Sequence, residues 1–186
     1  MADSAMMANS EGKEMSALEG KYLTFSLAGE EYGIGILKVK EIIGMMPITM
    51  VPRTPNFVKG VINLRGKVIP VADLRRKFDL EDMDYTERTC IIVVEISGQG
   101  GSVLMGIVVD SVSEVISIKS AEIEDAPVLG STLDTNYILG MAKINKGVKI
   151  LLDIDKAMNW EEMNAFEKSA GPVRHWLPGR YTCKQI

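Results

Sequence analysis

The sequence predicts a mainly β protein built from two small, related β units, with a few short helices. Three observations carry this prediction. β-Branched residues are concentrated in short runs such as "KVIPV", "CIIVVEI", "GIVVDSV" and "VISI", each bounded by Gly, Pro, Asn or Asp. Many short strands at close spacing indicate a barrel or sandwich rather than alternating β/α units. The pattern also occurs twice along the chain, and helical spacing is confined to a few stretches.

Taken in order, residues 1–20 are small, polar and methionine-rich, and read as a flexible leader. They hold no apolar run of signal-peptide length. Leu23, Phe25 and Leu27 then alternate with Tyr22, Thr24 and Ser26, which is a strand pattern. Ala28-Gly29-Glu30-Glu31 supplies a turn, and "EEYGIGI" restarts a strand, so residues 21–36 read as a hairpin. "ILKVKEII" (Ile36 to Ile43) fits a short helix as well as a strand. "TPNFVKG" reads as one or two helical turns opened by Pro55. Asn63-Leu64-Arg65-Gly66 sits between two strand-like runs and marks a tight reversal. Pro70 has no N–H to donate, so its strand lies at an edge or carries a bulge. "SGQGGS" (Ser97 to Ser102) reads as a hairpin loop. "DIDKAMNWEEMNAFEKSA" (Asp153 to Ala170) is the C-terminal helix, with a break expected near Asn159. Residues 161–186 form a helical then loose tail.

Two ungapped alignments define the repeat. "YGIGILKVKEII" set on "MGIVVDSVSEVI" matches Gly33 with Gly106, Val39 with Val112 and Glu41 with Glu114. "VKGVINLRGKVIPVADL" set on "ILGMAKINKGVKILLDI" matches Gly60 with Gly140 and Asp73 with Asp153. Units of about 70–80 residues are too small to be comfortable alone, so they should share a core along a seam. Grooves at such seams are common binding sites. Arg65 faces Asn145 in the alignment and Asn63 faces Lys143, so the arginine belongs to one half only.

The chain has 186 residues, net charge −4 and a pI near 5.2. An acidic balance argues against a nucleic-acid binder, which needs a basic footprint. No stretch approaches the apolar length of a membrane helix. Cys90 and Cys183 are far apart and have no C-x-x-C spacing, which fits a reducing compartment and no zinc. A disulfide between them stays open. The terminal Cys-Lys-Gln-Ile echoes a prenylation box but lacks its aliphatic pair. The chain is expected to be soluble and cytoplasmic.

No catalytic constellation emerges. The one histidine, His175, lies in the Pro/Gly-rich tail, and the glycines of "GIGILK" and "SGQGG" match no phosphate-binding loop. An enzyme would have to be built on His175 or Cys90. No cofactor and no metal is expected. Met45, Met46 and Met50 offer adaptable apolar surface or core. Glu41 stands among apolar neighbours and is open to pairing with Lys38 or Lys40. Arg65 is either an ordinary solvated arginine or a recognition group presented on a turn, since its planar fork grips carboxylates.

"EEYGIGILKVKEII", "TPNFVKGVINLRGKVIPVADLR" and "MGIVVDSVSEV" resemble the CheW-type coupling proteins of bacterial chemotaxis, over roughly residues 20–160. The resemblance implies a CheW-like domain at 21–160: two SH3-like five-stranded β barrels packed about a pseudo-two-fold. The family allows the chain to cross between barrels, so a boundary near residue 85 is nominal. It implies a non-enzymatic adaptor between chemoreceptors and the regulatory domain of the histidine kinase CheA. Such an adaptor is monomeric alone, assembled in arrays and recruited to the membrane without inserting. Receptor-groove positions carried over are Ile36, Val39, Glu41, Ile42, Lys59, Asn63, Arg65, Thr89, Cys90 and Val115. Kinase or array positions are Gly60, Leu129 and Gly140. The "SGQGGS" loop is longer than the family pattern, and the tail with Trp176 lies outside it. Whether Arg65 grips the receptor directly or braces the groove through Glu41 stays open. The competing reading is a small-ligand sensory module using the groove between barrels.

Overall fold

A computed structural model describes residues 16–98, 100–127 and 135–159. The first hairpin pairs β1 (Gly20–Leu27) with β2 (Glu30–Gly35). A 3-10 turn at Ile36–Lys38 leads into β3 (Val39–Gly44), so the ambiguous "ILKVKEII" resolves into one tight turn and a strand. A second hairpin joins β4 (Val58–Leu64) to β5 (Lys67–Asp73), followed by α1 (Leu74–Lys77). The second half runs through β6 (Cys90–Gly98), β7 (Gly101–Val109), β8 (Ser111–Ile118) and β9 (Ile123–Glu124). It ends with β10 (Ile138–Ile144), β11 (Gly147–Leu152) and α2 (Ile154–Ala157).

These strands form two sheets, ordered β3-β6-β7-β5-β4 and β8-β1-β2-β11-β10-β9. The orders correspond strand for strand, and the two-residue β9 adds the sixth member of the second. Among the described residues neither ring closes through backbone hydrogen bonds, and the sheets are consistent with SH3-like subdomains. Each sheet takes its central hairpin from the other half of the chain: β6–β7 completes the first sheet, and β1–β2 completes the second.

The core follows from this exchange. Ile91, Val93 and Val108 face a cluster inside the first sheet with Ile62, Ile69 and Val71. Ile92, Val94, Ile96, Met105, Ile107 and Val109 face the other way, into a cluster shared with Leu23, Phe25, Leu27 and Leu152. The central strands are therefore buried on both faces, which is why "CIIVVEI" is a continuous apolar run. Tyr22, Ile118, Ile123, Ala142 and Leu151 fill the second sheet. Four aromatic rings line the shared seam: Phe25 stacks on Tyr32 at 5.9 Å, Tyr32 on Phe78 at 6.0 Å, and Phe78 on Tyr137 at 4.9 Å.

The repeat is physical as well as textual. Asp73 and Asp153 each cap a one-turn helix by accepting backbone N–H groups. Gly60 has φ +140°, and a Cβ there would stand 2.1 Å from the Thr49 carbonyl oxygen. Its mate Gly140 is likewise crowded, by Ile123 and Glu124 of β9.

Two expectations need correction. "TPNFVKG" forms no helix: Val58 N–H donates to Pro55 C=O at 2.9 Å in a single turn, and β4 begins there. The pull of the β4–β5 ladder overrides the Pro55 helix-start signal. "SGQGGS" is mostly strand, since Ser97 pairs with Ser102 and Gly98 with Gly101. Pro70 sits where β5 pairs with β4 alone, because the β7 ladder starts at Val71. Of the helix expected over Asp153–Ala170, only Ile154–Ala157 is seen, and the stretch beyond Asn159 lies outside the described residues.

Candidate functional site

The β4–β5 hairpin closes with Leu64 opposite Lys67, leaving Arg65 and Gly66 as a two-residue loop. Their φ values are 51° and 83°, the left-handed pair of a type I′ turn. Asn63 Oδ1 accepts the Gly66 N–H at 2.9 Å, which locks the turn. Arg65 thus projects from a rigid tip, as the tight reversal predicts.

The tip reaches β3. Arg65 Nη1 donates to Glu41 Oε2 at 2.9 Å, and Nη2 donates to Glu41 Oε1, a bidentate fork. β3 and β4 are opposite edges of their sheet, so the ion pair spans the side that no backbone ladder closes. The Arg65 hydrogen bond, with its charge, outweighs partial desolvation and holds the Glu41 carboxyl below the usual range. The local pairing offered for Glu41 does not form: Lys38 binds Asp155 at 2.5 Å, and Lys40 binds Glu95.

Around this pair, Ile42 is 46% exposed and Leu37 is 88% exposed. Val39 and Ile36 are half-buried against the shared core. Lys59 lies over the Tyr85 ring, 5.3 Å from its centre. With Met45, Met46, Pro47, Ile48, Met50, Val58, Arg76 and Tyr85, Lys59 lines an open depression of about 660 Å³. Met45 and Met46 are partly buried, whereas Met50 is exposed.

Other candidates are placed differently. Val115 is exposed on β8, the matching edge strand of the other sheet. Thr89 is buried, and its hydroxyl accepts the Thr86 N–H at 2.8 Å, so its side chain holds the turn before β6. Cys90 is half-buried, opposite Gly44 and Val109, and burial pushes its thiol pKa up. Gly60 and Gly140 are buried where a close backbone approach requires them. Leu129 and Cys183 lie outside the described residues.

Sequence reasoning missed a second ion-pair system. Arg75 donates to Asp110 through Nε at 2.7 Å and Nη2 at 2.6 Å, and to the Glu81 carbonyl at 2.7 Å. Asp110 also accepts the Ala28 N–H at 2.8 Å. The repeat mate of Arg75 is Asp155, which pairs with Lys38 and accepts the Ser97 N–H at 2.7 Å. The two halves use the same helix position with the charges exchanged. Sequence alignment shows only a mismatch there, because the charged partners lie in the segments that follow the exchanged hairpins.

No group of three or more His, Cys, Asp and Glu converges as a metal site among the described residues. No helix among them is long and apolar enough to cross a membrane.

The fold presents exposed apolar and charged candidates on strand edges and a turn, an arrangement suited to contacts with other proteins. The family model for the CheW-like domain matches residues 21–162, and the chain belongs to that family. It is 44% identical over 143 residues to the chemotaxis protein CheW of Klebsiella aerogenes, covering 77% of this chain and 84% of that one. It is 30% identical over 149 residues to protein FrzA of Myxococcus xanthus, covering 79% and 90%. The crystal structure of the scaffolding protein TtCheW from Thermoanaerobacter tengcongensis superposes with a TM-score of 0.67 at 39% identity, covering 76% of this chain and 94% of that one. The named relatives include chemotaxis and scaffolding proteins.

Proposed function

We propose that the chain couples transmembrane chemoreceptors to the histidine kinase CheA, in the cytoplasm, at membrane-associated receptor arrays. Membership of the CheW-like family over both sheets carries this reading. The receptor tip would rest on the surface of β3 and the β4–β5 tip, with Ile42 and Arg65 as exposed contacts and Val39, Glu41 and Lys59 shaping the groove. Kinase or array contacts would involve Gly60 and Gly140, which act through local backbone shape, and Leu129. A globule of this mass exposes roughly 9,000 Å², and two standard interfaces take about 800 Å² each on this side. One molecule can therefore bridge two partners, with array assembly adding avidity.

Reconstitution tests the reading. Receptor signalling fragments, CheA and this protein mixed together should give kinase activity well above that of receptor and kinase alone. Pull-down from cytoplasmic extract should recover the kinase and receptors. Recovery of neither, at low salt with folded protein, would refute it. The small-ligand alternative has the methionine-lined depression in its favour, and its lining comes wholly from residues 45–85. One metabolite raising the melting temperature strongly would support that alternative instead.

A further inference from the structure

The two halves present the same carboxylate in the same setting but satisfy only one. β3 and β8 are both edge strands. Each carries a register shift at its glutamate: between Val39 and Glu41 against β6, and between Val112 and Val115, which includes Glu114, against β1. Glu41 is followed by Ile42, 46% exposed, and Glu114 by Val115, 51% exposed. The facing hairpin tips also match, with Arg65 at φ 51° and Asn145 at φ 50°. The tip residues differ in reach. Arg65 spans to Glu41, whereas Asn145 has a side chain several bonds shorter.

No other described cation takes its place. Lys143 binds Glu124 at 2.5 Å, and Lys149 binds Glu31 at 3.3 Å. No described residue hydrogen-bonds or ion-pairs with the Glu114 carboxylate. Its backbone is nonetheless fixed: the Thr24 hydroxyl donates to the Glu114 carbonyl at 2.9 Å and accepts its N–H at 3.2 Å. The result is an exposed carboxylate on a fixed backbone, unpaired among the described residues, beside an exposed aliphatic side chain on an open strand edge.

We infer that Glu114 is a docking point for an arginine of the receptor's cytoplasmic tip, which supplies in trans the guanidinium that Arg65 supplies to Glu41 in cis. The inference rests on the adaptor reading above and extends its receptor surface from β3 and the β4–β5 tip to the β8 edge. The internal Arg65–Glu41 fork is the geometric precedent, and charge complementarity selects the partner residue. Val115 provides the apolar contact that such an anchor needs around it.

The test uses the full-length protein titrated with a receptor signalling fragment and, separately, with the CheA regulatory domain. Glu114→Gln should weaken receptor binding by about threefold to tenfold, mainly through a slower, less salt-sensitive on-rate, and leave kinase-domain binding unchanged. Asn145→Arg places a guanidinium at the tip in cis, so it should cap Glu114 and reproduce the same loss with melting temperature kept or raised. Receptor binding by Glu114→Gln equal to wild type, or a loss confined to the kinase domain, overturns the inference while leaving the adaptor reading intact. Wild-type protein that binds neither partner overturns the adaptor reading itself.

Discussion

Arg65 holds a backbone conformation that Asn or Gly would adopt more easily, and spends its side chain on a carboxylate of another strand. Both features give it a defined position rather than a solvated one. The guanidinium remains well exposed after pairing, so it can brace β3 and still meet a partner. Arg65→Ala should leave the fold intact and weaken receptor binding by about tenfold to a hundredfold, measured by titration with a receptor fragment. If bracing dominates, Glu41→Gln should cost as much, and the double variant no more than either single one. Additive losses would show that Arg65 acts mainly by direct contact. Gly60 belongs to the same scale for the opposite reason. Gly60→Ala drives a Cβ into the Thr49 carbonyl at a positive φ and should cost about 3 kcal/mol of stability, read by denaturant unfolding. A stability change under 1 kcal/mol would show that the segment around Thr49 simply moves aside. Among single residues, the turn at Arg65 was legible because Asn63 and Gly66 flank it. The Glu41 partner was open in the sequence, because residues this far apart meet only after β3 and β4 become opposite sheet edges.

At the scale of elements, the one-turn helices α1 and α2 are too short to persist alone. What holds them is an aspartate cap each, Asp73 or Asp153, and an ion pair each. Burial would raise the Asp110 pKa, but hydrogen bonds from Arg75 and the Ala28 N–H outweigh it and hold the group low. Asp155 is held low against burial in the same way by Lys38 and Ser97. Both folded-state pKa values lie below their unfolded ones, so the unfolded chain binds more protons as the solution turns acid. The stabilisation is complete above about pH 4, the ordinary aspartate range, and is lost as pH falls through the depressed values. Asp110→Asn should therefore lower stability at pH 7 by about 3 kcal/mol, because it leaves a mostly buried arginine unpaired. It should also flatten the acid limb of a melting-temperature profile. An unchanged acid limb would exclude Asp110 as a source of acid sensitivity. Strand elements were the most legible part of this chain, since alternation in β1 and the buried runs of β6 and β7 come straight from their neighbours. The helical turn expected at Thr54–Gly60 was lost because a local proline signal is weaker than the β4–β5 ladder that begins at Val58.

The whole molecule depends on the exchange of hairpins. A repeat in sequence invites a cut between halves, with each half folding on itself, and the region between α1 and β6 contains no strand. The topology divides the chain otherwise. The first half supplies β3, β4 and β5 to one sheet but β1 and β2 to the other. Separated from the second half, β1–β2 loses β8 and β11 on its two sides, and β3 loses β6, its only ladder partner among the described residues. What remains is a pair of isolated hairpins, which are marginal in water. The same cut divides the shared core, whose buried members come from both halves. Fragments 1–84 and 85–186 should therefore each lack a cooperative thermal transition. Co-expressed, they should associate and recover a single transition and the β-rich circular dichroism of the intact chain, because the ladders that bind them together are the native ones. A cooperative melt from fragment 1–84 alone would show that its strands close into a sheet without the exchanged hairpin. It would also mean that the two halves meet as separate domains rather than as one interlocked unit. Receptor binding offers a second readout: the surface formed by β3 and the Arg65 tip needs β6 to hold β3 in place, so reassembled fragments should bind and fragment 1–84 alone should not.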